Sequence, residues 1–364
     1  MCSFVPRTLF QRIVDDDTAS EEVKREAQLQ IDAITSILTA TSEAAQAASM
    51  VKTRYDEIPS GFQEFSSKIW GMAAVNFEEI NYKTGQPKGT SYKPLPGILY
   101  RTSADPPHEY DEDVNICMES LRTMYDFYKT VMGRNSIDGK GLQLEASIHY
   151  SIRYGNAIWE PLSQQMVFGD GDGNSRVGRR AGFFAPGSMV NSLDVIAHEL
   201  THGVIQHTAN LEYRNQSGAL NEHLADVFGT MVLQWKLDQT VDEASWLLGA
   251  GIIYQDSESL AGARSAATSL RSLKDPSAAT NMDPQPDHIG HELYYRGGTW
   301  DRGGVHRNSG VPNHAFYKVA TRLGGRSWER AGKIWYAALT DARMHPQATF
   351  VDFAEVTVDK AEEM

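Results

Sequence analysis

Two cysteines, Cys2 and Cys117, are all that 364 residues contain. A disulfide framework is excluded, and neither cysteine belongs to a Cys-x-x-Cys metal pair. No run approaches the roughly 18 apolar residues of a membrane-spanning helix. Positive charge is also in short supply: 34 Lys and Arg against 47 Asp and Glu give a net charge of −13, with the acids spread along the chain. That balance argues against nucleic acid or an anionic membrane as a partner. The opening, Met1 to Phe10, has no basic stretch followed by a long apolar core. No classical signal peptide is expected, so the protein is cytoplasmic or leaves by a non-classical route. The rest is ordinary globular material, 41% hydrophobic and 22% charged, of a length that suggests two domains.

What is present is His198-Glu199-Leu200-Thr201-His202. Helical positions i and i+4 share a face, so both imidazoles can hold one metal ion, with Glu199 beside it able to reach a water. Catalytic zinc usually takes three protein ligands and keeps one place for water. Glu222, in Gly218-Ala-Leu-Asn-Glu222-His-Leu-Ala-Asp226, is the candidate third ligand, on a second helix with apolar Leu220, Leu224, Val227 and Phe228. Asp226, one turn on, can accept the other ring N–H of a ligating histidine. Later, His306 follows two glycines that let a loop approach closely, with Asp301 available to orient it; a histidine there can donate to an oxyanion.

In chain order, residues 1–52 stand apart. An apolar opening (Phe4, Val5, Leu9, Phe10, Ile13) precedes Asp15-Asp16-Asp17, and a helix start at Thr18–Glu22 leads into helix-forming residues from Val23 to Val51. This region reads as a docking arm, a removable pro-segment or an ordinary N-terminal helix. Strand and loop texture follows to Asp194, with strands expected at 74–77, 97–100 and 144–150 and a helix over 111–131. Tyr154 to Trp159 has the character of an edge strand on which backbone groups and the Asn156 amide can pair with an extended peptide. Gly169-Asp-Gly-Asp-Gly173 lacks an EF-hand pattern and reads as a tight turn. Helices are expected at 194–208, 218–236, 243–254, 312–323, 327–341 and 350–361, so the His198 helix falls where an α/β half meets a helical half.

These pieces in this order resemble the thermolysin family of zinc metallopeptidases from about Leu95 onward. Nineteen residues separate His202 from Glu222, as in that family, and Thr208 stands where a metzincin would place histidine. The resemblance implies an α+β, two-domain fold: a β-rich α/β domain at 53–193 and a mainly helical domain at 194–364, the active-site helix between them. It implies His198, His202 and Glu222 as zinc ligands, Glu199 as base, Asp226 behind His198, and Tyr213 and His306 as transition-state donors, with Asp301 behind His306. Asn156, the Ala157 carbonyl and Arg271 match substrate-binding positions; Val195, Leu248 and Leu270 would line an apolar pocket for the residue after the cut. Of the family's double calcium site Asp194 alone remains, with Leu233 and Trp246 to Ile252 in the other places, so that site is expected to be lost. The short N-terminal region resembles the protealysin subgroup, although Pro6 stands alone where two prolines are usual. Residues 1–52 are then expected to fold back as an intramolecular inhibitor, with Cys2 a candidate fourth zinc ligand. The expected activity is endopeptidase action on peptides or proteins. An aminopeptidase and a silent zinc protein serving as a binding or regulatory module are the alternatives.

Overall fold

The computed structural model of the chain describes residues 2–21, 23–32, 34–35, 65–71, 80–81, 86–87, 95–150, 154–171, 184, 189–253 and 267–364. The expected strand at 74–77 lies outside them. So does the expected helix beyond residue 35; residues 23–32 are helical.

Ten strands are described: β1 Cys2–Ser3, β2 Ser67–Gly71, β3 Ile80–Asn81, β4 Gln86–Pro87, β5 Ile98–Thr102, β6 Leu144–Ile148, β7 Ala157–Glu160, β8 Gln165–Phe168, β9 Leu247–Leu248 and β10 Arg271–Ser272. Six form a mixed sheet in the order β1-β7-β8-β6-β2-β5. Strands β2, β6 and β8 run parallel to one another, while β7 is antiparallel to β8 and β1 antiparallel to β7. The strands β6, β7 and β8 are mostly apolar and almost wholly buried, as expected where both faces are covered. Tyr154 to Trp159 is expected as an edge strand that can pair with an extended peptide; the free side of its strand β7 is taken by the chain's own N-terminus, which adds β1 with Cys2 opposite Trp159 and Ser3 opposite Ile158.

Besides the helical residues 23–32, the helices are α1 Arg7–Val14, α2 Glu112–Thr130, α3 Leu193–Gln206, α4 Asn215–Lys236, α5 Asp301–Asn308, α6 Gly310–Leu323, α7 Ala331–Leu339 and α8 Phe350–Glu363. The fold is α+β, with the sheet in the N-terminal part and the C-terminal part helical. In α3 every residue from Asp194 to Ile205 is buried, the pattern of a helix enclosed on all sides. Helix α4 crosses it closely at Gly229, where a Cβ would lie 2.7 Å from the Asp194 carbonyl oxygen. A larger residue there would push the two helices apart and separate the site they carry.

The helix expected over 243–254 is not formed. Trp246 and Gly249 adopt left-handed backbone angles, φ 57° and 67°, which break a right-handed helix. The apolar residues between them pair instead as β9 with β10, Leu248 opposite Arg271, and a short 3-10 turn follows at Ala250–Ile252. Residues 301–308, expected as a loop, form a helix broken by left-handed angles at Arg302, Gly303 and Gly304. The later part of the apolar opening forms a helix, α1, with Leu9, Phe10 and Ile13 buried. No helix among the described residues is long and apolar enough to cross a membrane.

Candidate active site

Helix α3 carries His198, Glu199 and His202, and α4 carries Glu222; all four are at most 2% exposed. Glu222 Oε2 is 3.6 Å from His198 Nε2, and its Oε1 is 3.5 Å from His202 Nε2. The two Nε2 atoms lie 3.0 Å apart. Their far nitrogens decide what that proximity means. His202 Nδ1 meets Asn221 Oδ1 at 2.7 Å; an amide oxygen only accepts, so Nδ1 carries the hydrogen and Nε2 is bare. His198 Nδ1 lies 2.9 Å from Asp226 Oδ1, a contact short of the alignment of a straight hydrogen bond. Burial, and then His198, hold the His202 imidazole well below its usual pKa. Two imidazole nitrogens, that of His202 bare, and a carboxylate therefore converge in a buried site, and Glu222 Oε2 has no hydrogen-bond partner. Such a donor set repels itself unless a cation joins it. His198, His202 and Glu222 fit a metal ion, and their N2O set is one that zinc takes.

Around this centre the remaining expected residues assemble. Both Glu199 carboxylate oxygens are buried without a hydrogen bond, and burial, reinforced by Glu222, raises its pKa well above the usual carboxylate range. The Tyr213 hydroxyl donates to Glu222 Oε1 and lies 2.9 Å from His306 Nε2. His306 Nδ1 donates to Asp301 Oδ1 at 2.7 Å. Burial opposes the charged imidazole, but Glu222 and Asp301 outweigh it and push the His306 pKa up to about 9. Burial likewise opposes the charged Asp226 carboxylate, but Arg271 and His198 bring its pKa down to about 2; Arg271 Nη2 donates to its Oδ1 at 2.9 Å.

The N-terminal segment occupies the groove beside these groups. His306 Nε2 donates to the Ser3 carbonyl at 2.8 Å. Phe4 N donates to the Ala157 carbonyl at 3.0 Å. Val5 N donates to Asn156 Oδ1, and Asn156 Nδ2 donates to Val5 O, both at 2.9 Å. The Phe4 ring is fully buried, edge-on to His198 with centroids 5.0 Å apart and under the Arg271 guanidinium at 5.0 Å. Val195, Leu248 and Leu270 are all fully buried in the same core. What remains open of the cleft is about 210 Å³, bordered by Ser3, Tyr154, Tyr213 and His306. Cys2 as a metal ligand concerns a side chain outside the described ones.

Three residues escaped the sequence reading. Gly249 closes the Phe4 pocket: a Cβ there would lie 3.1 Å from Leu270 and 3.2 Å from the Phe4 ring. Asp283 pairs with Arg12 of α1, and the Gln30 side chain accepts from Gly155 N at 3.0 Å. Neither contact leaves a local signal, since each partner is more than 100 residues distant in sequence.

A metal-ready His-Glu-His cluster between the sheet and a helical half, with a buried carboxylate, a tyrosine hydroxyl and an imidazole N–H beside it, is the constellation of a metallopeptidase. Residues 114–206 match the thermolysin metallopeptidase catalytic domain and residues 209–364 its alpha-helical domain. Protease PrtS of Photorhabdus sp. (strain Az29) is 44% identical over 279 residues, 74% of this chain and 68% of its own. An extracellular metalloprotease of Pectobacterium carotovorum subsp. carotovorum is 43% identical over 272 residues, 73% and 72% of the two chains. Among solved structures, the precursor of protealysin, a metalloproteinase from Serratia proteamaculans, superposes with a TM-score of 0.75 at 32% identity, covering 100% of this chain and 94% of that one. The chain belongs to the thermolysin metallopeptidase family. It is a metalloendopeptidase.

Proposed function

We propose that this chain is a zinc-dependent endopeptidase that cuts before an apolar residue and is made with its own N-terminal segment in the groove as an inhibitor. The observation that carries the reading is the seating of residues 3–5: the Ser3 carbonyl on His306, the Phe4 ring against His198, and the Val5 backbone on the Asn156 amide. A strand added to a sheet edge is how extended peptides are commonly held.

In this reading His198, His202 and Glu222 hold the zinc, which supplies a Lewis acid and eases deprotonation of water when bound. Glu199 takes the proton of the attacking water on a carboxylate oxygen and delivers it to the leaving amine. Its burial and the nearby Glu222, which raise its affinity for a proton, suit that task. The Tyr213 hydroxyl and His306 Nε2–H donate to the oxyanion, and Asp301 holds His306 by its far nitrogen. Asn156, the Ala157 carbonyl and Arg271 grip the backbone after the cut bond, as they now grip Phe4 and Val5; Arg271 Nη1 is 3.4 Å from the Phe4 carbonyl. Val195, Leu248 and Leu270 line the pocket for the apolar side chain. Asp194 is taken up by Ser192, Val195 N and Gly249 N, which supports loss of the double calcium site.

The test compares the full chain with one lacking residues 1–52 on a quenched fluorogenic peptide, with and without chelator. The trimmed chain should gain rate, and chelator should abolish it. No gain on trimming would count against inhibition by the segment, and chelator-resistant turnover against the metal.

A further inference from the structure

The carboxylate behind His198 is itself held from behind. Asp226 Oδ2 accepts from Asn313 Nδ2 at 2.9 Å. Asn313 Oδ1 lies 2.8 Å from His223 Nδ1, and Trp335 Nε1 donates to His223 Nε2 at 2.9 Å. Every member of this row is buried: His198, Asp226, Asn313 and His223 fully, Trp335 to 5% exposed. The row threads α3, α4, α6 and α7.

The far end fixes the hydrogens along the row. An indole N–H can only donate, so His223 Nε2 is the bare nitrogen and Nδ1 carries the hydrogen. That hydrogen requires an acceptor, so Asn313 turns its oxygen to His223 and its NH2 to Asp226. Turned the other way, Asn313 would set N–H against N–H at one end and oxygen against oxygen at the other. Asp226 then accepts from Arg271 and Asn313, and its charge 2.9 Å from His198 Nδ1 favours the hydrogen on that nitrogen, which leaves Nε2 bare toward His202 and Glu222. A buried polar row of this kind is costly unless its members are satisfied, and from Trp335 to Asp226 each link has one arrangement that satisfies both ends.

We propose that His223, its tautomer set by Trp335, is a positioning residue for His198, acting through Asn313 and Asp226. The proposal rests on the reading of His198 as a metal ligand. His223 touches neither substrate nor metal; its effect is to keep the carboxylate behind the ligand in one rotamer and one hydrogen-bonding state.

The experiment measures zinc release from the zinc-loaded full chain into excess chromophoric chelator, beginning with zinc stoichiometry. Direct outer partners of a ligand typically change metal affinity 10–100-fold; two and three links beyond Asp226, His223→Leu and Trp335→Phe should release zinc roughly 3–10-fold faster than the parent. His223→Asn keeps a donor near the Nδ1 position and should stay within about twofold. Phe353, whose ring packs on His223 at 5.9 Å without a hydrogen bond, is the packing control: Phe353→Leu should lower thermal stability and leave release unchanged. Parent-like release in both His223→Leu and Trp335→Phe would overturn the proposal, as would equal acceleration in Phe353→Leu. If His223→Leu does not fold, Trp335→Phe decides. Long-range 1H–15N spectra of the metal-free chain give a further readout: the Nδ1–H tautomer for His223 supports the proposal and the Nε2–H tautomer refutes it. A parent chain that binds no zinc would instead remove the metal reading beneath it.

Discussion

Phe4→Ala in the full chain is the sharpest perturbation of the proposed inhibition. The Phe4 side chain is fully buried, so truncation loses its transfer free energy and leaves a cavity, together about 3–5 kcal/mol by analogy with other Phe→Ala changes. The Arg271 guanidinium over the ring is part of what is lost. Since each 1.4 kcal/mol is tenfold, docking of the segment should weaken by roughly 10²- to 10³-fold or more. The backbone bonds of Ser3 and Val5 and the buried face of α1 remain, so the segment loosens rather than detaches. Initial rates on a quenched peptide, with intact mass read at each time to verify that residues 1–52 are still attached, should rise from the full-chain baseline toward the rate of the trimmed chain. A Phe4→Ala full chain as silent as its parent, beside an active trimmed chain, would refute the idea that this ring anchors the inhibitor.

In the trimmed chain, His306→Ala should lower kcat by roughly 100-fold or more, the usual effect of losing an oxyanion donor, with zinc content unchanged; a near-parental kcat would remove His306 from the mechanism. His149 gives a pH prediction away from this machinery. Its two nitrogens bond Asp170 and Asp111 at 2.8 and 2.9 Å, and although burial opposes the charge, the two carboxylates raise its pKa from 6.5 to about 9. Being raised in the folded state, this group contributes stability that is full below about pH 6.5 and is lost as pH rises through about 9, on the order of 2–3 kcal/mol. Urea unfolding from pH 6.5 to 10 should therefore show a falling limb that His149→Gln flattens; parallel curves for parent and variant would contradict it.

The residues at the site's centre were legible because their chemistry is local. His198 and His202 share a helix face by spacing alone, and Glu222 with Asp226 lie one turn apart on the next helix. Tyr213, Arg271 and the pocket residues came only through the family resemblance, having no spacing that distinguishes them. What stayed illegible was made by distant partners. A two-residue strand such as Cys2–Ser3 has no periodicity to read; it exists because β7 offers unpaired backbone. Residues 243–254 carry apolar side chains at helical spacing, yet Trp246 and Gly249 turn left-handed and the segment pairs with β10. The helix at Asp301–Asn308 hides behind two glycines that ordinarily signal a loop.

The most direct test of the central claim is zinc stoichiometry by elemental analysis, measured together with turnover, on the trimmed chain and two variants. One zinc per chain in the parent, one zinc without turnover in Glu199→Gln, and loss of both in Glu222→Ala is the expected result. A Glu222→Ala chain that keeps its zinc, or a Glu199→Gln chain that still hydrolyses peptide at the parental rate, would contradict it.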